Sequence, residues 1–425
     1  MYFARGSKTD VISPAEVREI LYGVFDSMGP RKRVLAIPPD YTRLNSYAGP
    51  VTEMAYDYFG DRMTDIMPAL GTHAPMTEEQ IRSMFDHVPL DRFRVHDWRN
   101  DVVTVGTVPG EFVKEVSGGK VDYPVPEQVN KLLLDPSFDL ILSIGQVVPH
   151  EVIGMANHTK NIFVGVGGSE GINKSHFLGA SYGMERIMGR AKTPVRDVLE
   201  YARRNFIPNL PIVYVLTVVA KDEETGKMVL RGLFIGDDFE CFQKASELSL
   251  ETNFIMLDRE IRKCVVYLDP DEFKSTWLGN KAVYRTRMAL ADGAELLILA
   301  PALKEFGEDK SIDALIRKHG YKGTPHTLEA TSRDEDLRDN LSASAHLIHG
   351  SSEGRFTITY CPGPEMSREE IESVGFNYGN LDEALALYPA EKMKDGWNTL
   401  PDGEEIYYIS NPALGLWAYR ERFKD

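Results

Sequence analysis

Four short apolar runs in the first 170 residues each stop at a polar or glycine-rich turn, and this recurrence constrains the fold more than any other feature of the chain. They are "RVLAIPPD", "TDIMPALGTHAP", "FDLILSIGQVVPHE" and "KNIFVGVGG". Each reads as a buried strand followed by a loop. Helix patterns lie between them. "SPAEVREILYGVFDSM" has a serine cap and a proline in its first turn, and "MTEEQIRSMFDHV" places Thr77 and Gln80 as a capping box. Strand and helix in alternation predict an α/β fold, and open α/β sheets place their sites at strand ends. The four ends here carry Asp40–Arg43, His73, His150 and Gly165–Gly168.

The middle of the chain, "IVYVLTVVAKDEETGKMVLRGLFIGD", predicts a hairpin around a charged turn with Gly226. The strand–helix pattern then restarts. "CVVYLD", "AELLILAP" and "RFTITYCP" read as strands, with helices between them and a capping box at Ser367 and Glu370. The expectation is two α/β domains, each a mixed or mostly parallel sheet flanked by helices, with the site in the cleft between them. The boundaries are set at 1–262 and 263–402, and the strand-like "EEIYYISNPA" leaves open a return of 403–425 to the first domain.

Composition narrows the function classes. A net charge of −16 argues against a nucleic-acid partner, because tracking phosphates needs clustered Lys and Arg. Cys241, Cys264 and Cys361 are far apart and form no CxxC pair, which points to a reducing compartment and no thiolate metal cage. The N-terminal stretch lacks a signal-peptide apolar region, and no run reaches a membrane-spanning length. A cytoplasmic enzyme without a membrane partner is expected.

The chemistry-bearing residues concentrate at the strand ends. On "PPDYTRLNS", Asp40, Thr42 and Arg43 put a carboxylate, a hydroxyl and a guanidinium on one loop. A guanidinium fork suits a carboxylate or phosphate; the plainer reading is a turn held by Asp40 with Arg43 in a surface ion pair. His73 precedes a helix start, where the positive helix end favours a neutral imidazole. It also reads as a simple helix-entry hydrogen-bonder. "PHEVIGMANHTKNIFVGVGGSEGINKSH" holds His150, His158 and His176 with Lys160 between them. It has no HExxH pattern, and "GVGGSEG" matches no phosphate-loop motif. A lysine where an apolar run meets glycines can be a covalent attachment point if burial lowers its pKa, although a lone lysine is more often a solvated charge.

Together these motifs resemble the nickel-dependent lactate racemase family over most of the chain. The resemblance rests on "DYTR", on "GTH" before a helix, and on the ordered set His150, Lys160, His176. It implies a nickel pincer nucleotide, pyridinium-3-thioamide-5-thiocarboxylic acid mononucleotide, tethered to Lys160, with nickel held by two sulfurs, a ring carbon and His176. It further implies that His73 and His150 alternate as acid and base, that Arg43 binds the substrate carboxylate, and that Asp40 and Thr42 help position the cofactor. The resemblance also implies that hydride leaves C2 of a 2-hydroxy acid and returns to the other face. Separate maturation enzymes are implied as makers of the cofactor.

One stretch departs from the family pattern. Where the family carries Tyr-Gln-x-x-Lys, this chain has "VYRTRMAL": Tyr284 is kept, Arg285 replaces Gln and Met288 replaces Lys, with Arg287 as a further cation. The departure points away from plain lactate. With Tyr284 and Arg285 as substrate-binding residues, it points towards a dicarboxylic or sugar acid; alternatively both arginines face solvent. Two other readings remain open at this stage. One is a zinc hydrolase built on His73, His150 and His176. The other is a non-catalytic carboxylate-binding protein. The oligomeric state is not legible.

Overall fold

Three of the four apolar runs become parallel strands of a six-stranded sheet in a computed structural model that describes residues 1–222 and 225–423. Residues 1–178 and 187–253 make one compact unit; residues 179–186 and 254 onward make another. In chain order the first unit contains β1 (Phe3–Gly6), α1 (Pro14–Ser27), β2 (Val34–Ile37), α2 (Ala48–Phe59), β3 (Met63–Ile66), α3 (Glu78–Phe85), β4 (Val102–Val108), α4 (Gly110–Val116) and β5 (Val125–Asn130). It continues with β6 (Leu140–Gln146), β7 (Pro149–His150), β8 (Gly154–Met155), α5 (Ser169–Tyr182, whose residues from 179 on are assigned to the other unit), α6 (Pro194–Asn205), β9 (Ile212–Lys221), β10 (Met228–Gly236) and α7 (Phe239–Asn253).

The sheet runs β1-β10-β9-β6-β2-β3. β3, β2, β6 and β9 are parallel, and β10 and β1 add an antiparallel edge. "VLAI" of β2 is buried at every position, as a strand covered on both faces must be. The chain steps from β2 to β3 on one side and comes back to β6 on the other. The loops after β2 and β6 therefore diverge at a topological switch point. Those loops, with the one after β3, carry Asp40–Arg43, His150 and His73.

Local capping follows the sequence reading. Ser13 with Glu16, Thr77 with Gln80 and Ser367 with Glu370 all form reciprocal capping boxes. The predicted hairpin forms as β9 and β10, although residues 223–224 of its turn lie outside the described residues. The fourth apolar run does not form a strand. Asn161–Gly165 is a buried π-helical turn leading to α5. A short, wholly apolar run has no period to separate helix from strand. Here Asn161 decides it, donating from Nδ2 to the carbonyl of Ile37 and to Ser143 Oγ, both at 3.0 Å, which ties the turn to β2 and β6.

The second unit is built on another six-stranded sheet, β15-β14-β13-β12-β17-β16. Its strands are β12 (Ile261–Tyr267), β13 (Leu290–Ala300), β14 (Thr357–Pro362), β15 (Asn377–Tyr378), β16 (Gly396–Thr399) and β17 (Glu405–Ile409). All are parallel except the edge strand β16. A small pair, β11 (Ile255–Leu257) with β18 (Trp417–Tyr419), accompanies it. The sequence reading put the division at 262/263 and left 403–425 free to rejoin the first domain. In the structure the division falls at 253/254, and Glu405–Ile409 pairs with β12 inside the second sheet. Residues 424–425 lie outside the described residues. Among the described residues no helix is long and apolar enough to cross a membrane.

Candidate active site

Three strand ends of the first unit deliver the polar residues. After β2 the chain turns into a 3-10 helix, Tyr41–Ser46, capped by Asp40, whose Oδ1 accepts from the amide of Thr42 at 3.2 Å. The Thr42 hydroxyl donates to the same oxygen. The other oxygen, Oδ2, faces His73 Nδ1 at 2.7 Å. Burial pushes the Asp40 carboxyl up, but the bonds from His73 and Thr42 outweigh it and hold the group below its usual range. Asp40 is thus an ionised acceptor that orients the His73 ring. The His73 side chain is 63% exposed, with Nε2 left over for chemistry. The guanidinium of Arg43, also exposed, makes no hydrogen bond or ion pair with any described residue. Its fork is available to an anion.

His150 ends the short strand β7, and its Nδ1 receives the amide of Val152 at 3.1 Å. Burial lowers its pKa well below the usual imidazole range; Glu151 opposes this, while the charges of Lys160, His176 and Arg43 reinforce it. These couplings place the sequence-predicted residues within electrostatic range of one another. Lys160 is lowered to about 8, chiefly by burial and then by Arg43. A fraction of its amine is therefore neutral and nucleophilic near physiological pH. His176, on α5, is lowered to about 4 by burial and is neutral. Its Nδ1 donates to the carbonyl of Ile172 at 2.7 Å, which fixes the tautomer and leaves the Nε2 lone pair free. A histidine held this way by a backbone carbonyl is set up as a metal ligand.

Sequence reasoning missed what holds Lys160. Asn157 and His158, just before it, both have left-handed backbone, with φ of 69° and 58°. Such strain persists only when surroundings impose it. Arg196 of α6 imposes it, donating to the carbonyls of Asn157 (3.0 Å) and Met155 (2.7 Å) and to Thr159 Oγ1 (2.9 Å). Glu200, one turn on, takes Thr159 Oγ1 at 2.8 Å and His158 Nδ1 at 3.1 Å. The available signal was Arg196 itself, a charge on a helix face otherwise made of Val195, Val198, Leu199 and Ala202. His158 has both nitrogens engaged, the second by the carbonyl of Asp238. It is structural, as is buried His96 between the carbonyl of Gly167 and Asn130.

The glycine-rich run is a packing device. A Cβ on Gly167 would meet the carbonyl oxygen of Phe163 at 1.8 Å, and one on Gly168 would meet Gln128 Oε1 at 2.1 Å. The run needs glycine whether or not a phosphate ever lies there.

His73, His150 and His176 do not form a preformed zinc triad among the described residues. Among the described residues, the one set of three or more His, Cys, Asp or Glu ligand atoms within 4.8 Å of one another is Glu53, Asp86 and His87. His73, His150 and His176 come from three separate loops and helices, and each has its Nδ1 committed to a different partner.

Tyr284 and Arg285 belong to the second unit. Tyr284 is buried, with its ring 6.3 Å from that of His349. Arg285 is not simply solvated: its Nη1 binds the carbonyls of Ala413 (3.0 Å) and Gly415 (3.2 Å). Arg287 is buried and paired with Glu185 at 3.1 Å, and Met288 is buried beside a bridge to Ala418.

Residues 23–185, which include every first-unit residue of this cluster, match the family described as the lactate racemase N-terminal domain. A curated lactate racemase from Thermoanaerobacterium thermosaccharolyticum is 27% identical over 289 residues, 65% of this chain and 61% of that protein. The match thus spans under two thirds of that relative's length. The solved lactate racemase apoprotein from the same organism superposes with a TM-score of 0.71 at 17% identity, covering 98% of this chain and 94% of that one. A crystal structure of a Thermotoga maritima protein superposes with a TM-score of 0.77 at 22% identity, covering 96% and 98%. At these identities the structural likeness establishes the fold.

Proposed function

We propose that this chain, whose residues 23–185 match the lactate racemase N-terminal domain, is an isomerase that racemises or epimerises a 2-hydroxy acid with a nickel pincer nucleotide tethered to Lys160. The observation that carries this reading is the state of Lys160 and His176: an amine lowered to about 8, electrostatically coupled to an imidazole whose Nε2 lone pair is free. Acylation needs a neutral amine, and nickel needs a neutral imidazole. The residues present therefore fit the group. When bound, the cofactor supplies a reversible hydride acceptor and a soft, sulfur-ligated nickel.

The chain's own residues do the rest. Arg43, with no partner of its own, holds the substrate carboxylate through two N–H groups. Its charge and that of Asp40 also bear on Lys160. His73, oriented by Asp40, takes the hydroxyl proton at Nε2 as C2 loses hydride, and returns it when hydride comes back. His150 is the second histidine that the family pattern assigns to the substrate. We further propose a substrate other than plain lactate. Arg285 has Nε and Nη2 left after binding the carbonyls of Ala413 and Gly415, donors suited to a second carboxylate or to sugar hydroxyls.

The test is the intact mass of the protein expressed with and without the family's cofactor-making enzymes, followed by peptide mapping and nickel analysis. A nucleotide-sized increase on the peptide containing Lys160, with one nickel, supports the reading, and turnover is then screened across 2-hydroxy acids. No adduct, under conditions that load a known lactate racemase, sinks it. Tight binding of a 2-hydroxy acid with Lys160 still unmodified would instead favour the binding-protein reading.

A further inference from the structure

A cavity of about 640 Å³ in the first unit is lined from α6, from the start of β9 and from the turn between β10 and α7. That is the size of a small-molecule pocket. None of Asp40, Arg43, His73, His150, Lys160 and His176 lines it. Its wall does include His158 and Glu200, which belong to the bonding that holds the strained loop before Lys160. What the cavity offers is set by what its lining leaves uncommitted. Among the described residues, the Asp197 carboxylate and the Lys192 amine have no hydrogen bond or ion pair. Arg204 uses only Nε, on the carbonyl of Glu200 at 3.2 Å, and Glu200 accepts only through Oε1. Burial pushes the Asp197 carboxyl above its usual range against the pull of Lys192 and Arg204, with Glu200 adding to the rise. These four side chains therefore lie within reach of one another's fields. Deeper in, Tyr214 is 1% exposed and its hydroxyl has no partner. Arg203 does not serve it, having both terminal nitrogens on the carbonyls of Ile207 and Leu210.

We propose that this cavity is a second ligand site, taking a small zwitterion of the amino-acid or short-peptide class, and that its occupant braces the loop leading to Lys160. A ligand of one sign would leave half of the lining opposed to it. An anion would meet Asp197 and Glu200, and a cation would meet Lys192 and Arg204. No three carboxylate or imidazole atoms of this lining gather within 4.8 Å among the described residues, so it is not arranged as a cage for a metal ion. A zwitterion satisfies both signs. Its ammonium goes to Asp197 and to Glu200 Oε2, and its carboxylate to Lys192 and Arg204. Its remaining polar atom, or a water that it holds, pairs with the Tyr214 hydroxyl, which is costly to leave unpaired. Its apolar part lies along Phe239. Charge-assisted bonds of this kind are the strong ones, more so where water is partly excluded. The bracing follows from Glu200, which takes Thr159 Oγ1 at 2.8 Å and His158 Nδ1 at 3.1 Å. A ligand that needs Glu200 in place binds the ordered loop and not the opened one, and so favours the ordered loop by mass action. None of this draws on the cofactor or on racemisation.

The test is calorimetric titration of the full chain, without cofactor, against a panel of free α-amino acids and dipeptides. Each binder is compared with its N-acetyl form, which keeps only the carboxylate, and with its C-terminal amide, which keeps only the ammonium. The expected result is binding by one or more zwitterions, weakened about tenfold or more in either control, the scale of one charge-assisted bond. Free amino acids and dipeptides then separate by affinity, which identifies the source. Asp197→Asn and Arg204→Gln should each weaken binding about tenfold or more, with unfolding midpoints near that of the unaltered chain, and Tyr214→Phe should weaken it by a smaller factor. Hydrogen exchange at the amides of residues 157–160 should slow when the ligand is present. No binding anywhere in the panel at millimolar concentration overturns the proposal. So does a control that binds as well as its parent, which would make this a site for simple anions or simple cations. Binding that ignores both Asp197→Asn and Arg204→Gln places the ligand elsewhere and also overturns it. Binding with unchanged exchange at residues 157–160 overturns the bracing. Because the titration needs neither cofactor nor turnover, its outcome is independent of whether the racemase reading holds.

Discussion

The two units share an architecture, and the candidate-site histidines of the first differ from a buried one in the second. Each has a sheet with a run of parallel strands and buried imidazoles nearby. In the first, His73 and His176 each have one nitrogen bound and the other open, and Arg43 is unengaged. In the second, His346 has Nε2 on the hydroxyl of Tyr321 at 2.9 Å, and its ring stacks on Trp277 at 4.2 Å. The same tyrosine hydroxyl lies 2.9 Å from Thr276 Oγ1. Burial drives both kinds of histidine neutral, His176 to about 4 and His346 to about 3. A shifted pKa alone therefore does not mark a site. What separates the two regions is whether a polar atom remains uncommitted where a ligand can reach it.

The largest expected effect is on the open side of this comparison. Lys160→Ala should abolish both the covalent adduct and turnover, read by intact mass and by a racemisation assay with the cofactor-making enzymes present. Surviving turnover would mean that the free amine is not the attachment point. Next comes Asp40→Asn. An amide can donate to His73 Nδ1 as well as accept from it, so the ring loses its fixed tautomer. A fall of roughly 10²–10⁴-fold in kcat/KM is expected, the range for a positioned general base, with little change in the unfolding midpoint. A stability loss as large as the activity loss would place Asp40 on the structural side.

The closed side predicts the reverse. His346→Ala should cost roughly 2–4 kcal/mol through a cavity and a lost buried hydrogen bond, read by urea unfolding, while activity per folded molecule holds. The pH dependence has a definite sign. The folded-state pKa of about 3 lies below the ordinary 6.5, so the unfolded chain binds the extra proton as pH falls between those values. Wild type loses this part of its stability on acidification, and the variant has none of it to lose. The gap between them should narrow from pH 7.5 to pH 5; a constant gap would mean that His346 is not buried neutral.

How much of this was legible from sequence depended on whether the signal was local. The capping boxes at Thr77 and Ser367 and the polar turns after β2, β3 and β6 are short-range patterns, and they appear where expected. Asp40, His73, His150, Lys160 and His176 were singled out because they fall at those turns or in a fixed order. The π-turn at Asn161–Gly165 was not legible, since it is set by Asn161 reaching Ile37 and Ser143 far back in the chain. The Arg196 clamp and the anchoring of Arg285 on Ala413 and Gly415 are likewise long-range. Equally invisible was the Val152 amide on His150, because a backbone donor leaves no mark in the sequence.

Glu127 puts the comparison under most strain, because it has uncommitted atoms and yet no access. It lies on β5, is 1% exposed, and neither carboxyl oxygen has a hydrogen-bond partner. A Cβ on Gly171, in the first turn of α5, would lie 3.6 Å from its Oε2. Burial, with no charged neighbour to oppose it, pushes its pKa well above 4.5. The sign is opposite to that of His346. Below pH 4.5 the carboxyl is neutral in both states and costs nothing in charge. As pH rises from there towards the raised folded value, the unfolded chain ionises freely while the folded one resists, so stability falls. Glu127→Gln removes that term. It should therefore stabilise the protein at pH 7.5, by about 1.4 kcal/mol for each unit by which the folded pKa exceeds the unfolded one up to that pH, and the advantage should vanish at pH 4.5. Equal stability of the two proteins at both pH values would show that Glu127 has a partner, such as buried water, and would move it to the closed side. A gain that grows with pH would show that an uncommitted polar atom marks a site only when something can reach it, and is otherwise a standing cost to the fold.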